Sequence, residues 1–168
     1  TGGFSGSPVF LIGALAHGPE QTTIVQYLAR DYPEEAGILH AFAAASNACD
    51  AWVTFNGRSF AEPFLRDRGT LHRVPLTAPR KHVDLLHVAR RRWRGVTPDC
   101  RLTTLDRHIL GRTRHDDIPG SDVPDLFHHF VRTGNARPLR GVLEHNRLDL
   151  VASLDLLEQL WPDIADFQ

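Results

Sequence analysis

The sequence predicts an α/β fold, in which a mixed sheet of antiparallel N-terminal strands and parallel strands is flanked by helices. The apolar run Val9–Ala16 and the run Thr23–Leu28 are separated by the turn residues His17-Gly18-Pro19, which predicts an antiparallel pair. A third apolar run, Ala51–Phe55, ends at the strong turn signal Asn56-Gly57 and predicts a central strand. Apolar runs that alternate with helical segments are typical of a sheet layered with helices.

Five helices are predicted from composition and from apolar residues that recur with helical spacing. They are Pro33–Ala48, Val83–Trp93, Thr103–Leu110, Val123–Arg132 and Arg140–Leu160. Glu34 and Glu35 suit the first turn of the first helix, where carboxylates interact favourably with the helix dipole. Thr103-Thr104 would cap the third helix and Gly111 would end it. Four leucines with helical spacing in the last helix are expected in the core, namely Leu150, Leu154, Leu157 and Leu160.

Length and composition favour one cytoplasmic domain spanning residues 1–168, with a formal net charge of −1. No apolar run approaches the roughly 20 residues that a membrane helix needs, and the N-terminus lacks the charged region of a signal peptide. Cys49 and Cys100 have no metal-type spacing and are expected to be reduced. The adjacent histidines His128-His129 give no zinc spacing. The oligomeric state is left open by these features.

A dense basic run, Arg90–Arg94, includes the aromatic residue Trp93. One interpretation is a phosphate-facing patch. That patch would include four further arginines, namely Arg101, Arg107, Arg112 and Arg114. The other interpretation is an ordinary solvated helix face.

His145 and Asp149 are the most informative pair in the chain. They are four residues apart at the start of the last helix, so they should share one helix face. A proton acceptor beside a carboxylate is the arrangement that metal-assisted phosphodiester hydrolysis needs. The alternative is a polar helix face that merely meets water.

The Asn56-Gly57 turn is a second candidate. It follows the Ala51–Phe55 strand, and Ser59 could cap a helix that begins near Phe60, with Pro63 in its first turn. A strand–turn–helix delivers polar groups to the carboxyl end of a strand, where α/β folds place their sites. The alternative is an ordinary loop between a strand and a helix.

Seven short segments occur in order along nearly the whole chain. They are Thr1-Gly2-Gly3-Phe4, Val9-Phe10-Leu11-Ile12-Gly13, Glu34-Glu35, Phe55-Asn56-Gly57-Arg58-Ser59-Phe60, His82-Val83-Asp84-Leu85-Leu86, Arg114-His115-Asp116-Asp117-Ile118-Pro119-Gly120 and His145-Asn146-Arg147-Leu148-Asp149. Their ordered combination resembles the YprB-type RNase H-like exonuclease domain, a branch of the DEDD (DnaQ-like) superfamily.

The resemblance implies a fold and a chemistry. Members of that superfamily hold two divalent metals with four carboxylates: an Asp-x-Glu pair on the first strand, an Asp after the Asn-Gly turn and an Asp on the last helix. A His or Tyr just before the last Asp handles the attacking water. Carboxylates suit this role because Mg²⁺ and Mn²⁺ prefer hard oxygen ligands.

Carried onto this chain, the resemblance makes Asp149 a metal ligand and His145 the base. Asn56, Gly57 and Arg58 would contact substrate. The cofactor would be Mg²⁺ or Mn²⁺ and the partner a single-stranded DNA or RNA 3′ end, which a 3′–5′ exonuclease would trim.

The sequence departs from the family pattern twice. The Asp-x-Glu pair would lie just before Thr1, so part of the first strand is expected to be missing. Ala61 stands where the second Asp is expected, and the adjacent Glu62 would point about 100° away on a helix. Two interpretations stay open: an impaired or incomplete nuclease, or an inactive domain that binds nucleic acid or serves as a scaffold.

Two of the matching segments have a structural interpretation as well. Asp84 lies either at the edge of the site or at the N-terminal cap of a helix. The Arg114–Gly120 segment ends in a Pro-Gly turn preceded by carboxylates, which is usually a structural feature.

Overall fold

The N-terminal strands form the predicted antiparallel pair. The computed structural model describes residues 7–17, 20–115 and 117–165. Strand β1 (Leu11–His17) pairs with β2 (Thr22–Leu28), so that Leu11 lies opposite Leu28 and His17 opposite Thr22. The predicted turn at Gly18-Pro19 and the Thr1–Phe4 segment lie outside the described residues.

A second pair of strands is parallel. Strand β3 (Ala51–Thr54) pairs with β4 (Lys81–Asp84), and Thr54 is the partner of Asp84 at their carboxyl ends. The α/β fold class with antiparallel and parallel strands is confirmed. Within the described residues, however, β3 has β4 as its neighbour and the strands form two separate two-stranded sheets, so the predicted central position of β3 is wrong there.

Six α-helices accompany the strands in the described part of the chain. They are α1 (Glu35–Ser46), α2 (Ala61–His72), α3 (Leu85–Trp93), α4 (Leu102–His108), α5 (Val123–Thr133) and α6 (Leu139–Ala165). A 3-10 turn at Tyr32–Glu34 precedes α1. The predicted helices are confirmed with shifted ends, except that β4 replaces the start predicted for α3. No described helix combines the length and the apolar character that crossing a bilayer requires.

Two predicted helix caps are wrong. The N-cap of α2 is Phe60 rather than Ser59, because the Gly57 carbonyl accepts the Glu62 amide at 2.8 Å. The N-cap of α4 is Arg101, without a side-chain capping bond, and Thr103-Thr104 lies inside the helix. The Asp99 carboxylate accepts the Arg101 amide at 2.9 Å and so orders the entry to α4. Pro63 does lie in the first turn of α2, as predicted.

The core has two apolar clusters. One joins α3, α4 and the C-terminal half of α6, and its buried members include Leu85, Leu105, Leu156 and Leu160. Leu157 and Leu160 of the predicted leucine stripe belong to or pack against this cluster. The other cluster joins β1, α1 and the residues after α2, and its buried members are Val9, Ile12, Ala29, Ile38, Leu39, Ala43 and Val74.

Glu35 is a buried charge at the start of α1, with 2% of its surface exposed. Its carboxylate accepts hydrogen bonds from the Val9 amide (2.7 Å) and from Arg68 Nε (2.6 Å), and it lies 2.9 Å from His72 Nε2. Burial raises the pKa of this carboxyl. The hydrogen bonds from Arg68, Val9 and His72 lower the pKa by more than burial raises it, so the net pKa is below its usual value. Glu35 therefore ties the segment before β1 to α1 and α2.

Helix α6 is fixed against the hairpin by a close approach. Gln26 Nε2 donates to the Leu143 carbonyl (2.8 Å) and to Asn146 Oδ1 (2.9 Å). Gly13 on β1 faces this bond, and a Cβ there would lie 2.1 Å from Asn146 Oδ1. Because Asn146 follows His145, this contact sets the position of the predicted base.

Candidate active site

His145 and Asp149 share one face of α6, as their spacing predicted. His145 Nε2 lies 3.5 Å from Asp149 Oδ2, and the two side chains are 21% and 36% exposed. Both side chains are thus accessible to a ligand from solvent while the helix backbone holds them in place.

Asp117 binds the other nitrogen of the same imidazole. Its Oδ1 lies 2.7 Å from His145 Nδ1. Burial raises the pKa of Asp117. The hydrogen bond and charge of His145, together with the charge of Arg114, lower the pKa by more than burial raises it, so it lies below its usual value. A carboxylate at Nδ1 holds the proton of a neutral imidazole there, which leaves Nε2 as the proton acceptor beside Asp149.

The loop that carries Asp117 is packed onto α6. Ile118 lies against Gly141, where a Cβ would come within 2.4 Å of Ile118 Cδ1. Gly141 is one helical turn before His145, so this apolar contact places the neighbouring Asp117 carboxylate at the imidazole.

Arg114 joins the site as a nearly buried cation, with 7% of its side chain exposed. Its Nε donates to Asp106 Oδ2 at 2.7 Å, and its Nη1 donates to Asp149 Oδ1 at 2.7 Å and to Asp117 Oδ2 at 3.3 Å. Burial lowers the pKa of this guanidinium, but the bonds to Asp106 and Asp149 raise it above its usual value. The guanidinium therefore offsets part of the charge of three carboxylates.

Two polar atoms of this cluster are buried without a hydrogen-bond partner among the described residues, Arg114 Nη2 and Asp106 Oδ1. Buried polar atoms of this kind are uncommon in stable cores and often mark sites that bind water or an ion.

The described residues do not fit a two-metal centre on their own. Among residues 7–17, 20–115 and 117–165, no three or more His, Cys, Asp or Glu side chains are grouped to hold a metal ion. One oxygen of Asp149, the predicted ligand, is engaged by Arg114. Ala61, the first residue of α2, offers no ligand at the position where the family pattern has Asp.

The Asn56–Arg58 turn is organised by Asp84. The Asp84 carboxylate accepts hydrogen bonds from the amides of Asn56 (2.8 Å), Arg58 (3.0 Å) and Leu86 (3.1 Å). Asp84 is thus the N-terminal cap of α3, one of the two interpretations of its sequence. Asn56 adopts a left-handed backbone conformation with φ of 60°, and Gly57 is buried.

Polar side chains surround a small cleft beside this turn. Arg58 donates to the His82 carbonyl, Glu62 Oε2 lies 2.9 Å from His82 Nδ1, and Thr54 Oγ1 lies 2.8 Å from His82 Nε2. The cleft is about 360 Å³ and is lined by Arg58, Glu62, Ala78, Pro79 and His82. The Glu62 carboxylate therefore contacts His82 on β4. In this orientation it does not replace the carboxylate that the family pattern has at position 61.

The structure thus groups the candidate residues in two sets. His145 and Asp149 lie with Asp117, Arg114 and Asp106, whereas Asn56, Gly57 and Arg58 lie with Asp84, His82 and Glu62. The resemblance implies that His145, Asp149 and the Asn56–Ala61 turn line one cleft, and this stays a prediction.

Part of the predicted basic patch is neutralised. Arg101 pairs with Asp99, Arg112 with Asp155, and Arg114 with the carboxylates of the site. Arg92 donates to Asp163 at 2.6 Å. A continuous patch that includes Arg114 was therefore the wrong interpretation, because that side chain is directed into the site.

Sequence reasoning missed Arg114, Asp117 and Asp106 as members of this cluster. The signal available was the Arg114–Gly120 segment, which matches the family pattern but has the composition of a turn. Asp116 of that segment lies outside the described residues.

Comparisons with known proteins agree with the resemblance in the motifs. A family model of the RNase H superfamily matches residues 1–161. The chain is also 32% identical over 157 residues to a protein of Bacillus subtilis (strain 168) that bears the name "Uncharacterized protein YprB". The match covers 92% of this chain and 38% of that protein, so the chain spans well under half of its relative's length.

Proposed function

Because the chain belongs to the RNase H superfamily, we propose that it is a nuclease-type hydrolase that cleaves phosphodiester bonds of nucleic acid. The observation that carries the proposal is the position of His145 between two carboxylates, Asp117 at 2.7 Å and Asp149 at 3.5 Å. A base oriented by one carboxylate and set beside another is an arrangement suited to activating water.

In this proposal His145 accepts a proton from the attacking water at Nε2. Asp117 keeps the neutral imidazole protonated at Nδ1 and stabilises the imidazolium that forms. Asp149 lies on the side of the imidazole where the water would bind. Arg114 holds Asp149 and Asp117 in place, and it acts as a positioning residue because it touches the two carboxylates.

The finer proposal is a 3′–5′ exonuclease that acts on a single-stranded DNA or RNA end and uses Mg²⁺ or Mn²⁺. Members of the superfamily typically use divalent metals for this reaction. Among the described residues, Asp149 is the expected ligand, and further hard oxygen ligands would have to come from other residues. The 168-residue chain should therefore bind divalent metal weakly and cleave slowly.

A second candidate is a domain that binds nucleic acid without cleaving it. Two observations favour it: Ala61 replaces an expected carboxylate, and Arg114 donates to Asp149 where a metal would bind. In such a domain the guanidinium would permanently provide the positive charge that a nuclease receives from its metals.

The experiment is release of nucleotides from labelled single-stranded DNA and RNA, measured with Mn²⁺ and with EDTA. Ala61→Asp restores the carboxylate that the family pattern has at this position, so this variant should cleave faster in Mn²⁺ than the parent chain. In that active background His145→Ala should lower the rate by about 10²–10⁴. The matched control is His108→Ala, which removes an exposed histidine from α4 and should leave the rate unchanged.

Labels at the 5′ and 3′ ends of the strand give the polarity of attack. Loss of nucleotides from the 3′ end supports the exonuclease proposal, and internal cuts contradict it. Binding without EDTA-sensitive cleavage by the Ala61→Asp chain would favour the second candidate.

A further inference from the structure

Helix α3 presents opposite faces of different chemistry. Its inner face is buried and apolar, with Leu85, Leu86, Val88, Ala89 and Trp93. Its outer face carries His87, Arg90 and Arg91, whose spacing of three and four residues places them on one side of the helix, and Arg94 follows its last residue. These four side chains line a cleft of about 460 Å³.

Two of the arginines that line this cleft have charge that stays available to a ligand. Within the described part of the chain, no carboxylate lies within 4 Å of the Arg90 or Arg94 guanidinium. Arg92, on the neighbouring side of the helix, does have such a partner in Asp163. Favourable interaction with the helix dipole accounts for Arg90 and Arg91 in the last turn of α3, but it does not require these two and Arg94 to line one concave surface.

Helix α3 is also held rigidly. Asp84 caps its N-terminus, Trp93 is buried at its C-terminus, and Arg92 donates to the Gln159 carbonyl and to Asp163 on α6. Guanidinium groups displayed by a fixed helix bind phosphate oxygens with little loss of conformational entropy.

The position of α3 relative to the site follows from α6. Arg92 binds α6 at Gln159 and Asp163, which are ten and fourteen residues beyond Asp149. At 1.5 Å per residue this is an axial distance of about 15–21 Å. A stacked strand advances about 3.4 Å per nucleotide, so the distance equals about four to six nucleotides.

We infer that the α3 cleft binds backbone phosphates of a nucleic-acid strand, several nucleotides along the strand from the bond held at His145. The inference rests on the proposed function for its ligand and names a second contact for that substrate. Its chemistry is independent of base identity, so DNA and RNA strands should both bind there.

The test is fluorescence anisotropy with labelled 16-nucleotide and 3-nucleotide single strands, of dT and of U, in EDTA and over a range of KCl concentrations. Arg90→Gln with Arg94→Gln should weaken binding of the 16-mers roughly tenfold at low salt. The slope of log affinity against log salt should fall by about 1.4, since each phosphate contact to a single strand contributes about 0.7. The 3-mers cannot reach both sites, so they should bind more weakly than the 16-mers and lose much less than tenfold in affinity.

Two controls separate the cleft from general charge effects. Arg66→Gln with Arg132→Gln removes two exposed arginines elsewhere and should change 16-mer affinity less than twofold. Arg90→Lys with Arg94→Lys keeps the charge and should retain most of the salt slope. Thermal unfolding of each variant reports whether the fold is intact.

The inference is overturned if the cleft variant binds the 16-mers as the parent does, or if the Arg66 and Arg132 control has the same effect. Because EDTA prevents metal-dependent cleavage, this outcome is separable from that of the proposed function. Cleft-dependent binding by an Ala61→Asp chain that never cleaves would support the inference and contradict the proposed function. Cleavage that does not depend on the cleft would contradict the inference and support the proposed function.

Discussion

The Asp117 carboxylate lies 2.7 Å from Nδ1 of His145, although 28 positions separate the two residues in the chain. Two contacts produce this geometry: Ile118 packs on Gly141, and Arg114 donates to both Asp117 and Asp149. The carboxylate fixes which imidazole nitrogen carries the proton, so the basic nitrogen is the one that lies beside Asp149.

Asp117→Asn should change the tautomer of His145. An amide can donate to Nδ1 as well as accept from it, so the preference for a proton at Nδ1 is lost. We expect nitrogen NMR shifts of the imidazole to show a smaller Nδ1–H population. In the active background the cleavage rate should fall by about 10²–10⁴, the range for a positioned general base.

Asp122→Asn is the matched control, because Asp122 is an exposed aspartate that precedes α5. It should leave the tautomer and the rate unchanged. An unchanged Nδ1–H population in Asp117→Asn would contradict the assigned role.

Arg114→Gln should destabilise the fold and increase its response to divalent cations. Removal of a nearly buried cation leaves Asp106, Asp117 and Asp149 without their counterion, at a cost of about 3–5 kcal/mol. Mn²⁺ would neutralise the same carboxylates, so it should stabilise the variant more than the parent. The measurement is urea unfolding in EDTA and in millimolar Mn²⁺.

Arg112→Gln serves as the control for that experiment. Arg112 pairs with Asp155 and is 45% exposed at its side chain, so its loss should cost at most about 1 kcal/mol. Equal stabilisation of Arg114→Gln and Arg112→Gln by Mn²⁺ would show that the guanidinium does not take the place of a cation.

Glu35 should make the fold sensitive to acid. Its pKa in the folded state is below the unfolded value of about 4.3. Its contribution to stability is therefore complete above the unfolded pKa and is lost as the pH falls through the folded pKa. Glu35→Gln should lower the free energy of unfolding at pH 7 by about 3–5 kcal/mol and flatten its decline below about pH 5.

The measurement is urea unfolding between pH 3 and pH 7. Glu144→Gln, which removes an exposed carboxylate paired with Arg147, should leave the pH profile nearly unchanged. An acid decline in Glu35→Gln as steep as in the parent would assign the sensitivity to other carboxylates.

Helices with a regular apolar pattern could be predicted closely from the sequence. Helix α5 was placed to within one residue, because its apolar spacing and its flanking Pro and Gly are local signals. Strand β4 was missed because Lys81-His82-Val83-Asp84 is short and has one apolar residue. Its strand conformation depends on pairing with β3, which lies far away in the sequence. Ala51 pairs with Lys81, for example, and 30 positions separate the two residues.

The candidate site could likewise be predicted only where its geometry is local in sequence. The His145–Asp149 pair was predictable because a spacing of four residues on a helix fixes its geometry. The partners of that pair were not, because Arg114 is 35 positions from Asp149 and nothing local specifies which carboxylate a guanidinium will meet. The predicted helix cap at Ser59 was wrong for a related reason. The backbone carbonyl of Gly57 accepts the Glu62 amide, so no side-chain cap is needed for that amide.

Gly13→Ala should disturb the contact that positions α6. The new Cβ would lie 2.1 Å from Asn146 Oδ1, which must move and break its bond to Gln26. We expect a loss of about 1–3 kcal/mol in the free energy of unfolding, from overpacking and the broken bond. Gly37→Ala is the matched control, since that exposed glycine in α1 has nothing within 4 Å and should become more stable by up to about 1 kcal/mol.

A double-mutant cycle with Asn146→Ala isolates this contact. Without the Asn146 amide, Gly13→Ala has no clash and breaks no hydrogen bond, so its cost should fall by about 1–2 kcal/mol. The His145 imidazole resonances should shift in Gly13→Ala alone and not in Gly37→Ala, because Asn146 adjoins His145 on α6. If the two substitutions at positions 13 and 146 are additive, the hairpin does not hold α6 through Asn146, and the base must be positioned by Asp117 and Arg114 alone.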